Sequence, residues 1–97
     1  MVIGALRVEL YLPESGSLKD KRHVVKSLLA RLANEYRVAA AEVEALDALQ
    51  HAVLGISCVS NSATHANEIL SKAVEFVEAN VEEGHLTDYQ IEIIHVL

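Results

Sequence analysis

One pattern occurs twice along this chain: an aliphatic run, a short polar turn carrying a Ser cap, an amphipathic stretch at helical spacing, and a second aliphatic run. The first copy begins with VIGALRVELYL (2–12) and the turn PESGS; the second begins with HAVLGISCVS and ends in DYQIEIIHVL. Two such units in tandem give the order β-α-β-β-α-β. A strand–helix–strand crossover is right-handed almost without exception. The two units therefore interleave into a four-stranded antiparallel sheet with both helices on one face. This is an α+β fold, the ferredoxin-like βαββαβ two-layer sandwich. The 97 residues suit a single ferredoxin-like domain over 1–97, because two separate cores would each be too small.

Local signals place the elements. Residues 2–12 are rich in Val, Ile and Leu with only loose alternation, as in a strand covered on both faces. Pro13 stops that strand. Ser17, with Asp20 three residues on, approximates a capping box and starts a helix expected to run to about Tyr36. At helical spacing Leu18, Val25, Leu28, Leu29 and Leu32 share an arc of about 100°. The region 37–52 reads two ways. Its Ala and Glu favour helix, which would make a mostly helical domain. Its β-branched and aliphatic continuation favours strands at about 37–44 and 50–60 with a loop between, and this is the reading adopted. The second helix is capped by Asn61 or Ser62 and expected to stop at Gly84, before a last strand in 88–97.

Charge is unevenly spread. Net charge is −6, yet residues 1–37 hold seven Lys/Arg against four acids, whereas residues 38–97 hold one base, Lys72, against ten acids. Most of the excess lies in SLKDKRHVVK. A helix N-terminus with unpaired N–H groups attracts anions. The candidate nucleic-acid or anion-binding set is therefore Ser17, Lys19, Lys21, Arg22, Lys26 and Arg31. Lys21 is the odd member: it falls inside the apolar arc, so its stem is expected to be buried and its ammonium to extend past the sheet edge.

The stretch SLKDKRHVVKSLLARLANEYRVAAAEVEALDALQHAVLGISCVS resembles the YlxP-like family of small bacterial proteins, a family of unknown function. The family's hallmarks are a Ser-Leu-Lys-x-Lys-Arg helix start, an aromatic-bearing helix end, a VAxAEV-like strand and an LGISxVS-like strand. Tyr36 stands here where Phe is commoner, and Arg37 where Asn is commoner. The resemblance implies a ferredoxin-like fold and a bacterial, cytoplasmic setting. Members are often encoded among transcription, translation and ribosome-maturation genes, which implies an RNA-related role. The family brings no catalytic residues with it.

The remaining chemistry is sparse. Cys58 lies alone in an apolar run and reads as a buried, inert thiol. His23, His51, His65, His85 and His95 form no metal-ligand spacing, so no metal and no cofactor are expected. No carboxylate pair, nucleophile–base order or phosphate loop stands out, and an enzymatic role is not favoured. The strands placed centrally offer only Tyr11 for base stacking, so any RNA contact is expected through phosphates. No run is long enough for a membrane span. Strands 1, 3 and 4 carry apolar residues in both alternating sets, so the bare sheet face is expected to be covered by a second copy. Three functions follow: a binding module, RNA- or ribosome-associated through the basic first helix; a homo-oligomeric interaction protein; or a small-anion or enzymatic domain at the first helix N-terminus.

Overall fold

The computed structural model describes all 97 residues. The elements are β1 (Val2–Tyr11), α1 (Leu18–Tyr36), β2 (Ala39–Glu44), β3 (His51–Ser60), α2 (Ala63–Asn80) and β4 (His85–His95). The strands form one antiparallel sheet in the order β2-β3-β1-β4. This is the ferredoxin-like βαββαβ arrangement. The alanine-rich segment is extended, not helical. Arg37 adopts a left-handed conformation (φ 52°, ψ 48°) that ends α1 and reverses the chain. Ala39–Glu42 then pair with Ser57–Leu54 of β3. Strand pairing overrides the intrinsic helix preference of Ala and Glu.

The core lies between the sheet and the helices. Along β1 the inward set, Val2, Gly4, Leu6, Val8 and Leu10, is buried, and each alternate residue is only partly covered. Leu54, Ile56 and Cys58 of β3 join it from beside. Val25, Leu28 and Leu32 of α1, with Ala66, Leu70, Ala73 and Val77 of α2, close it from above. A Cβ on Gly4 would stand 2.8 Å from Leu70 Cδ1 and 3.1 Å from Cys58 Sγ. The missing side chain thus sets how closely α2 lies on β1.

The second helix departs from expectation at its end. It finishes at Asn80, and residues 81–84 are a connection into β4, which starts three residues earlier than the sequence suggests. Gly84 is no helix cap. A Cβ there would lie 2.6 Å from Leu12 Cδ2 and 2.9 Å from the Tyr11 carbonyl. Glycine is needed for that close approach to the end of β1, and the positive φ falls on Glu83 instead (52°).

The open face is not uniformly apolar. One end is: Ile3 stands between Val59 and Ile94, the latter two well exposed. The middle is polar. Arg7 donates Nε and Nη2 to Glu44 at 3.0 and 2.8 Å, and Nη1 to Glu9 at 3.0 Å. Alternation along β1 makes this inevitable, since Arg7 and Glu9 share the parity of Ile3 and Ala5.

Candidate functional site

The first turn of α1 is capped by its own chain at the Asp20 amide, while the Leu18 and Lys19 amides have no acceptor within the protein. Ser17 is the N-cap, in extended geometry, and its hydroxyl accepts from the Asp20 amide at 3.0 Å. Asp20 Oδ2 in turn accepts from the Gly16 amide at 3.3 Å. This reciprocal pair satisfies one donor inside the helix and one just before it, and sets a carboxylate against the positive end of the helix dipole. The cavity in front, about 450 Å³, contains Lys19 and His23 but also the carboxylates of Glu14, Asp20, Glu82 and Glu83. Its electrostatics oppose a small anion.

Lys21 requires a correction. Its stem is buried as expected, but its ammonium does not emerge: the side chain is 0% exposed. Nζ donates to the carbonyls of Ala45, Leu46 and His51 at 2.8, 3.1 and 3.3 Å. Glu42 Oε2 approaches to 2.9 Å as an ion-pair partner, without hydrogen-bond alignment. Three carbonyls use the three ammonium protons, and the carboxylate supplies the countercharge. The contacts also hold Ala45, a non-glycine residue at φ 57°, in its left-handed conformation. Lys21 therefore fastens the β2–β3 connection to α1 and is removed from any solvent-facing anion site.

Arg31 is exposed but engaged by the neighbouring helix. It donates Nη2 to Asn80 Oδ1 at 2.8 Å, and its guanidinium lies 5.2 Å from the Phe76 ring centroid. Phe76 meets Tyr36 edge-on at 5.6 Å. Together these contacts tie α1 to α2.

Three of the six sequence-derived residues are exposed with no side-chain partner in the protein: Lys19, Arg22 and Lys26. They share about a 60° arc on the solvent side of α1, all are exposed, and none forms an ion pair; Arg7 and Lys21 are the cations that do. Exposed His23 lies beside them. The Arg7–Glu44 pair was not evident from the sequence. There the hydrogen-bonded guanidinium draws the Glu44 carboxyl below its ordinary range, and the two acids raise Arg7 further above its already high value. Glu42 was equally hidden as a partner for Lys21, although the position of Lys21 in an apolar arc was a usable warning.

Elsewhere chemistry is thin. Tyr11 stacks on His51 at 5.4 Å, and Cys58 is buried. No group of three or more His, Cys, Asp or Glu side chains converges to hold a metal. No helix is long and apolar enough to cross a membrane.

Comparison with known proteins places this geometry. Residues 3–91 match the family model described as "Protein of unknown function (DUF503)". Over 78 residues the chain is 32% identical to the uncharacterized protein YlxP of Bacillus subtilis (strain 168), covering 80% of this chain and 85% of that protein. In structure it is similar to acylphosphatase from Bacillus subtilis, with TM-score 0.60, 14% identity, and 100% and 89% of the two chains covered. It is also similar to a de novo designed protein with ferredoxin fold, with TM-score 0.58, 12% identity, and 97% and 84% covered. At such identities these two likenesses concern the fold alone. With the motif, the topology and the family match in agreement, the chain belongs to the YlxP-like DUF503 family of proteins of unknown function.

Proposed function

We propose that this protein is a non-enzymatic binding module that docks the phosphate backbone of RNA, free or within a ribosome, on the outer face of α1. The observation that carries the reading is the alignment of Lys19, Arg22 and Lys26. They are exposed and unpaired in a chain with fourteen acids. Neighbours three and four apart on a helix stand about 5–6 Å from one another, so the stripe can follow successive phosphates. Phosphate contacts position a protein without reading sequence. Tyr11 is occupied by His51, which argues against base stacking on the sheet. The Asp20 carboxylate at the helix start and the acidic cavity count against the small-anion alternative.

Three phosphate contacts on a single strand predict a slope of about −2 in log K against log salt. Fluorescence polarisation with a labelled single-stranded RNA over a salt series measures it. The triple variant Lys19→Glu/Arg22→Glu/Lys26→Glu is expected to lose binding, and Lys72→Glu on α2 to keep it. Binding that survives the triple reversal, or a slope near zero, refutes the reading.

A further inference from the structure

One titratable group adjoins the outward cations of α1 without belonging to them. At helical spacing His23 lies about 40° from Lys19 and about 60° from Lys26, on the margin of the stripe opposite Arg22. Its imidazole is exposed and forms no ion pair. The charged groups around it are of both signs. On α1 they are Lys19, Asp20, Arg22, Lys26 and Arg31. Across the cavity of about 450 Å³ stand Glu14, from the β1–α1 connection, and Glu82 and Glu83, from the connection after α2. Glu82 also shares a second, smaller cavity with His23 and Arg31. His23 is therefore the boundary between a cationic face and an acidic cavity. It is also the group there of the one side-chain type whose charge ordinarily changes between pH 5 and 8. The other four histidines lie on other elements: His51 on β3, His65 on α2, and His85 and His95 on β4.

We propose that His23 makes RNA binding on α1 proton-linked: the docked phosphates draw a proton onto its imidazole, which becomes the fourth cation of the stripe as pH falls. The inference rests on the RNA reading above and supplies its regulation. In the free protein two pulls on a proton at His23 oppose each other. Lys19, Arg22, Lys26 and Arg31 repel it, and Glu14, Asp20, Glu82 and Glu83 attract it. Phosphates laid on Lys19 and Lys26 cover the repelling charges with negative ones, while the carboxylates across the cavity stay in place. The balance in the complex therefore shifts toward the imidazolium. A protonated ring also donates from both nitrogens, and its hydrogen bonds to phosphate are charge-assisted. Linkage is reciprocal: the factor by which RNA raises the proton affinity of His23 is the factor by which the proton raises the affinity for RNA. The sign follows. Because the group gains affinity for its proton in the complex, RNA binding strengthens as pH falls through the histidine range.

Isothermal titration calorimetry of the full chain with an oligouridylate, whose bases do not titrate in this range, tests the linkage at pH 6.0 and 7.5 over a salt series. The wild type is expected to bind roughly three- to tenfold more tightly at pH 6.0, with the slope of log K against log salt steeper by about 0.7, one further phosphate contact. Repeating the pH 6.0 titration in buffers of different ionisation enthalpy should show proton uptake on binding. His23→Gln is expected to match the wild type at pH 7.5 and to lose most of the gain at pH 6.0. His23→Lys, with a fixed charge at the same exposed position, should bind at pH 7.5 as tightly as the wild type does at pH 6.0. His65→Gln on α2 should keep the wild-type pH dependence. Equal affinity and slope at the two pH values overturn the proposal, as does a full pH dependence retained by His23→Gln. Binding that is abolished by the triple charge reversal yet indifferent to pH overturns this inference and leaves the RNA reading standing; binding at neither pH overturns both.

Discussion

The inner and outer sides of the first turns of α1 make an instructive contrast. Lys19 and Lys21 stand two residues apart in one basic motif, yet about 160° apart around the helix. On the inside, Lys21 is fully buried beneath three carbonyls and a carboxylate. On the outside, Lys19, Arg22 and Lys26 have no ion-pair partner. The same side-chain chemistry therefore serves packing on one face and leaves a charged surface on the other. A run of cations in a sequence need not be a single functional unit; its helical phase divides it.

The contrast predicts effects of very different size. Lys21→Met keeps the apolar stem and deletes the ammonium, leaving Glu42 as an uncompensated partly buried charge and three carbonyls without their donor. Removing one member of such a pair costs about 3–5 kcal/mol, a large share of the 5–15 kcal/mol by which small domains are stable. A urea titration should show a clear drop in midpoint. A loss below about 1 kcal/mol would erase the distinction between inside and outside. Ser17→Ala removes the cap shared by both faces and should cost about 1 kcal/mol in the same assay; no change would show that water replaces the hydroxyl. Outside, changing Lys19, Arg22 or Lys26 singly to Gln should move stability by no more than about 0.5 kcal/mol. A greater loss would mean that these side chains also support the fold.

Part of this was readable in advance. The doubled pattern, Ser17 as a cap and the phase of the apolar arc specify element order and helix faces because they are local properties. The extended state of the alanine-rich segment could be chosen over helix only by weighing it against its neighbours, since β3 determines it. Lys21 shows where such reading stops. Its place in the apolar arc announced a buried stem, but its acceptors lie 24, 25 and 30 residues further along the chain. Nothing in the helix indicates that a loop will fold over its end. Gly84 fails for a similar reason: its glycine requirement comes from Leu12 and Tyr11, on an element more than seventy residues away. The candidate surface emerged smaller than the motif suggested, once Ser17, Lys21 and Arg31 were found committed to internal contacts.

The division of the motif can be measured directly through its lysines. The chain has four: Lys19, Lys21, Lys26 and Lys72. Brief labelling of the native protein with an amine-reactive reagent, followed by peptide mapping, reports the accessibility of each ammonium. Lys19, Lys26 and Lys72 should label readily, and Lys21 only when the protein is unfolded. Labelling of native Lys21 at the rate of Lys19 would contradict its place in the core.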